Sequence, residues 1–168
     1  MYKPIGLFIG RFQPFHRGHL LVIQGMVKMC KKVVIVIGSS QEKKTEKNPY
    51  SALERKEMIQ RALQAENIIP VHDIILTTVP DVESDTEWVL NVLETSGEVG
   101  KLWTGNQAVI KCFEGQEIDV QEIKEVPGIS DGEIRKLMCE GGKWEKLVPL
   151  EVKKYIGEIK GVERVKNM

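Results

Sequence analysis

Cysteine and histidine are scarce in this chain of 168 residues, and no charge of one sign dominates it. Three cysteines (Cys30, Cys112, Cys139) are an odd number at unpaired spacings, which argues for reduced thiols rather than disulfides or a zinc site. Lys and Arg total 24 against 24 for Asp and Glu, so no global field draws nucleic acid or an anionic membrane. Any anion site must therefore be local. No apolar run approaches the roughly 20 residues that cross a bilayer. The N-terminus lacks the basic-then-apolar pattern of a signal peptide, so a cytoplasmic protein is expected. Neither a GxGxxG fingerprint nor a GxxxxGK(S/T) loop occurs, which disfavours hydride transfer and P-loop chemistry. Repeats and linkers are absent too, and the length suits one domain spanning 1–168, with about 70% of the unfolded surface buried on folding.

What is present is an alternation of apolar runs with helical periodicity. Residues 5–9 read as a short buried strand, and Leu20, Ile23, Val27 and Cys30 give the next helix one apolar stripe. Residues 33–37, all β-branched and ended by Gly38, suit a strand covered on both faces of a parallel sheet. A polar loop follows over 39–49. Ser51 with Glu54, Ser84 with Glu87, and Ser130 with Glu133 each form a capping-box pattern opening a helix. Leu53, Ile59, Ala62 and Leu63 repeat along the first of these helices. Residues 74–79 and 101–104 read as strands, 118–123 as an exposed or edge strand, and 149–159 as the last helix. The pattern predicts an α/β fold, a Rossmann-like doubly wound parallel sheet in a single domain. Residues from about 130 to 168 add helices to that same domain, and ligands are expected beyond the carboxyl ends of the strands.

The most informative segment is Phe8-Ile9-Gly10-Arg11-Phe12-Gln13-Pro14-Phe15-His16-Arg17-Gly18-His19, where a strand gives way to a helix. His16 and His19 are three apart, which puts both imidazoles on one face of the first helical turn. Unpaired N–H groups and the helix dipole attract anions there. Gly10 offers a turn with positive φ, and Gly18 a close approach of ligand phosphates to the backbone. Arg11 adds a planar fork of donors. The rival reading is a metal pair, but the only other histidine is His72, and no Cys or carboxylate stands at a spacing that completes a ligand set. The segment reads as a triphosphate cradle with no resident metal.

The sequence GRFQPFHRGH resembles the phosphate-binding signature of the nucleotidylyltransferase superfamily, with its core His-x-Gly-His at His16-Arg17-Gly18-His19. With Gln13-Pro14-Phe15 it is most similar to the archaeal-type nicotinamide mononucleotide (NMN) adenylyltransferases. Asn48-Pro49-Tyr50-Ser51-Ala52-Leu53-Glu54-Arg55 resembles their Asn-Pro-Phe-Thr-Ala-Gly-Glu-Arg, and Gly38-Ser39-Ser40-Gln41 their Gly-Ser-Ala-Gln. Ser130-Asp131-Gly132-Glu133-Ile134-Arg135 resembles their Ser-x-x-Glu-x-Arg signature, which implies that Ser130 and Arg135 hold the β- and γ-phosphates. From the residues alone the same stretch is equally a well-capped helix. The relatives usually show Ser-Gly-Thr-Glu there, so this chain lacks a Thr hydroxyl and adds a carboxylate, Asp131, beside a phosphate.

Other assignments follow from the same resemblance. Phe12, Gln13, Asp81 and Trp88 border the NMN pocket, with the Trp88 ring stacking on nicotinamide; the plain alternative is a core tryptophan. Gly38, Ser39, Gly105 and Asn106 lie near ATP, each otherwise part of an ordinary turn. Lys43, Lys44 and Lys47 make a loop basic, either solvated or, at Lys47, touching phosphate. The reaction implied is adenylyl transfer from ATP to NMN, giving NAD⁺ and pyrophosphate, with Arg11, His16, His19 and Arg135 as the catalytic groups. Mg²⁺ is expected to arrive with ATP, and a homo-oligomer, commonly a hexamer among archaeal relatives, is implied. Two alternatives stand beside this one. The first is transfer of adenylyl or cytidylyl to phosphopantetheine, flavin mononucleotide or a sugar-alcohol phosphate. The second is a nucleotide-sensing module that has lost catalysis.

Overall fold

The computed structural model describes residues 2–168. Its sheet has five parallel strands in the order β3-β2-β1-β4-β5. β1 is Ile5–Gly10, β2 Lys32–Ile37, β3 Ile74–Thr78, β4 Lys101–Thr104 and β5 Asp119–Glu122. β1 pairs with both β2 and β4, placing Phe8 between Ile35 and Trp103. Strand order reverses on either side of β1, so a crevice opens between the carboxyl ends of β1 and β4. The expected doubly wound sheet is therefore present.

β2 explains the centre of the sheet. Val33, Ile35 and Ile37 face one core cluster while Val34 and Val36 face another, so a continuous β-branched run is buried on both sides. The first cluster takes in α1 (Arg17–Met29), α2 (Ala52–Ala65) and the C-terminal helices α5 (Asp131–Glu140), α6 (Leu150–Glu158) and α7 (Gly161–Lys166). The second lies under α3 (Asp85–Ser96) and α4 (Gln107–Cys112). β5 is exposed along its length and forms the sheet edge. Among the described residues, no helix is long and apolar enough to cross a membrane.

Several expectations need correction. α6 is not the last helix: Lys160 adopts φ 53° and breaks the run, and α7 follows, with Gly161 packed where an added Cβ would meet the Tyr50 ring at 2.9 Å. α4 has too few residues for a visible period. On α1 the buried stripe runs through Met26, with Val27 only half-buried. On α2 Leu53 is 79% exposed, and the inward face begins instead at Arg55, followed by Met58, Ile59 and Ala62. Ser51 and Glu54 make a reciprocal capping box, but Ser84 and Ser130 each accept a single N–H bond without the return one.

Candidate active site

A cleft of about 620 Å³ opens at the strand-order reversal. Its walls include Arg11, His16, Gly18 and His19 from the β1–α1 junction, Gly105 and Asn106 after β4, and Ser130 and Asp131 at the start of α5. Seven of the residues expected from sequence thus meet in one crevice: Arg11, His16, Gly18, His19, Gly105, Asn106 and Ser130.

The two histidines are built into the helix start. His16 is the N-cap of α1, and its Nδ1 accepts from the N–H groups of Gly18 at 3.1 Å and His19 at 3.3 Å. His19 Nδ1 in turn accepts from the His16 N–H at 3.1 Å. This is a capping box made of imidazoles, with rings stacked 3.6 Å apart at 18°. It corrects the expectation that backbone N–H groups of this turn are free for an anion. The rings take those bonds and relay donor capacity to their far edges. Because both Nδ1 atoms accept, each ring carries its proton on Nε2 and presents an N–H to the cleft.

Both Nε2 atoms converge on Asp131 Oδ1, at 3.1 Å from His16 and 3.6 Å from His19. Asp131 Oδ2 accepts the Gln13 N–H at 3.0 Å. The resemblance put this carboxylate beside a phosphate, but no spacing joined it to the two histidines, as the fold does from 112 positions beyond His19. The three side chains place ligand-type atoms within 4.8 Å of one another. A resident divalent ion does not fit them, however. Binding at either Nε2 requires a ring with no proton left, unless the capping box breaks. The cluster is a pair of N–H donors around an anion.

Burial dominates the His19 pKa and pulls it from 6.5 to about 3, Asp131 opposing and His16 adding to the fall. Burial alone raises the Asp131 carboxyl, but the His16 hydrogen bond, the neighbouring imidazoles and the Gln13 N–H hold it at about 2. Acid should therefore destabilise the fold. His19 has a folded pKa below 6.5, so the unfolded chain takes the proton first, and stability present above 6.5 is lost as pH falls toward 3. That loss is about 2 kcal/mol at pH 5. Asp131, depressed from 3.8 to about 2, adds a second loss across that lower window. Urea midpoints at pH 7 and pH 5 for the native chain and His19→Gln test this: the variant should be less pH-sensitive, and equal sensitivity would exonerate His19.

The glycines serve the rings first. An added Cβ at Gly18 would stand 2.9 Å from His16 Cε1, and one at Gly10 2.8 Å from the Phe12 ring. Gly10 does not take the positive φ expected of it. Phe12 does, at 54°, held there by full burial against Phe8, Phe15 and His19. Of the residues expected at the NMN pocket, Phe12 and Gln13 turn their side chains inward. Both are fully buried, and the Gln13 amide is spent on the Tyr50 backbone, donating to its carbonyl at 2.9 Å and accepting its N–H at 3.0 Å.

Arg135 lies beside the cleft, half-buried, its Nη1 donating to the Gln13 carbonyl at 2.8 Å. Gly38 and Ser39 are buried at the end of β2, and Ser39 takes φ 47°. Ser39 Oγ donates to Asp81 Oδ1 at 3.1 Å, and Gln41 pairs with Asp81 through side chain and backbone. Trp88 is half-buried in α3, edge-on to Phe113 at 6.1 Å. Lys47 is exposed in its loop. Gly10, Gly38, Ser39, Lys47, Asp81, Trp88 and Arg135 stand outside the lining of the cleft.

The residue most overlooked in the sequence is Arg55. It is fully buried, donating to the carbonyls of Arg11 (2.8 Å), Gly38 (2.7 Å) and Ser39 (3.1 Å) as well as Ser51 (3.2 Å). Burial lowers its pKa to about 10, with Asp131 the main opposing charge. The available signal was an arginine in register with the apolar face of α2.

Comparison with known proteins accords with this arrangement. Residues 7–137 match the family model described as cytidylyltransferase-like. A nicotinamide-nucleotide adenylyltransferase of Thermococcus kodakarensis is 39% identical over 97% of this chain and 87% of its own length. That of Thermococcus sibiricus is 41% identical over 97% and 88%. Among solved structures, a bifunctional NMN adenylyltransferase/ADP ribose pyrophosphatase from Francisella tularensis, complexed with AMP and a Mn ion, superposes with a TM-score of 0.76 at 25% identity. The match covers 99% of this chain and 52% of that one, so this chain spans about half of the bifunctional protein.

Proposed function

We propose, from the premise that this chain belongs to the cytidylyltransferase-like family, that it transfers the adenylyl group of ATP to NMN, releasing NAD⁺ and pyrophosphate. The observation that carries this reading is the convergence of two imidazole N–H donors on one anion position at the strand-order reversal. The relatives named above supply the acceptor.

The chemistry needs no general base. An oxygen of the NMN phosphate is already an anionic nucleophile; it forms a bond to the α-phosphorus as the bond to the bridging oxygen of pyrophosphate breaks. The task for the protein is to bring two anions together and to stabilise the charge that gathers on the leaving group. His16 and His19 donate through Nε2 to the α- and β-phosphates, and Arg11 adds a permanent charge from the same wall. Arg135 and the Ser130-capped start of α5 take the β- and γ-phosphates, with Gly18 leaving the approach open. Gly105 and Asn106 border the adenosine. Gly10, Gly38 and Ser39 shape the strand ends around the nucleotide, and Lys47 meets phosphate from its loop. Asp81 and Trp88 form the acceptor side, with Phe12 and Gln13 setting the backbone that joins the two halves. Mg²⁺ comes as part of the ATP complex. The enzyme works in the cytoplasm on two small nucleotides, as a homo-oligomer.

Pyrophosphate release with ATP and Mg²⁺, measured over NMN, phosphopantetheine, flavin mononucleotide and a sugar-alcohol phosphate, tests the reading. Release with NMN alone is expected. Release with a different acceptor, or tight ATP binding without release on any of them, would overturn it.

A further inference from the structure

We propose that Asp131 is an internal counter-anion that stands in the polyphosphate position and weakens ATP binding, because the nucleotide must displace its carboxylate to reach the imidazoles. The inference rests on the assignment of His16 and His19 to phosphate.

Each imidazole accepts at Nδ1 and so has one N–H to give, at Nε2; Asp131 Oδ1 stands 3.1 Å from that of His16 and 3.6 Å from that of His19, the nearer a contact and the farther only an approach. The other carboxylate oxygen takes the Gln13 N–H, and the carbonyl of Gln13 is held by Arg135. Asp131 thus sets a negative charge where a phosphate oxygen would meet the two Nε2 atoms. A phosphate brought to the same two Nε2 atoms would stand beside the carboxylate, and two anions on one donor pair repel.

Displacement leaves the helix start in place. Asp131 is the first residue of α5, whose cap is made by Ser130, so a side-chain rotation frees the donors at the cost of the Gln13 N–H bond alone. Asp131 keeps 23% of its side chain exposed on the cleft wall. In the free protein the carboxylate gives partly buried donors an acceptor they would otherwise lack. On turnover its return competes with departing pyrophosphate and favours release.

Calorimetric titration of the full chain with pyrophosphate tests the idea without turnover. Asp131→Ala is expected to bind pyrophosphate about tenfold more tightly, the strength of one charged acceptor lost from the free protein. Asp131→Asn, which keeps the shape and a weaker acceptor, should fall between, and carries the test if the alanine variant folds poorly. Glu125→Gln removes another cleft carboxylate that does not touch the imidazoles, and should move the affinity far less. In steady-state assays the Asp131 variants should lower the KM for ATP by more than they change kcat. Unchanged or weaker pyrophosphate binding in both Asp131 variants, with His19→Ala weakened, overturns this proposal and leaves the phosphate assignment standing. If Glu125→Gln tightens binding as much as Asp131→Asn, general charge rather than occupancy is responsible and the proposal fails. Unaltered binding in His19→Ala overturns the assignment itself.

Discussion

His16→Asn is expected to lower turnover by on the order of a hundredfold, as loss of a transition-state donor does elsewhere, in a protein that stays folded. The substitution separates two jobs that one ring performs. Asparagine is among the best N-cap residues, and its Oδ1 replaces Nδ1 as acceptor for the Gly18 and His19 N–H groups. The structural duty is kept. The amide stops short of Nε2, so the donor facing the cleft is withdrawn from the position shared with His19. Saturating ATP and NMN isolate kcat, and the thermal midpoint recorded alongside reports the cap. Near-native turnover in the folded variant would remove His16 from the chemistry. A large fall in Tm would instead mean that asparagine does not restore the cap.

Arg55→Met is expected to cost about 3 kcal/mol of stability or more, since carbonyls that accept from a buried guanidinium are left without partners. The acceptors are not ordinary ones. Arg11 and Ser39 flank or form the places where Phe12 and Ser39 hold positive φ, a conformation that costs non-glycine residues about 1 kcal/mol or more each. One side chain from α2 therefore ties together the ends of β1 and β2, where two loops would otherwise relax. For a domain of this size the loss corresponds to a fall in Tm on the order of 10 °C. Urea denaturation of Arg55→Met and Arg55→Lys gives the measurement. Lysine keeps the charge but not the fork, so it should lie between methionine and native. Midpoints equal to native in both variants would show that the buried fork contributes nothing.

The alternation of strands and helices was legible because its causes are local. β-Branched runs at 33–37 announce a strand buried on both faces, and Ser51 with Glu54 announces a helix start, whatever surrounds them. The HxGH segment was legible for the same reason: cap, glycine and imidazole spacing all fall within one turn. Local pattern misled where two explanations share one residue. Gly10 reads as a turn with positive φ, but its smallness serves the Phe12 ring. Gln13 and Phe12 read as ligand contacts, but both face inward.

The sequence by itself determined the doubly wound class and the imidazole pair at the β1–α1 junction, since both are written in spacings of a few residues. Only the tertiary structure decided where Asp131, 112 positions beyond His19 in the chain, would come to rest, and that Arg55 would be buried across two strand ends. Those pairings depend on α5 and α2 packing against the carboxyl ends of β1 and β2. Hydrogen bonds formed across folded elements leave no period in the chain, because the distance that matters is closed by the whole core rather than by neighbours in sequence.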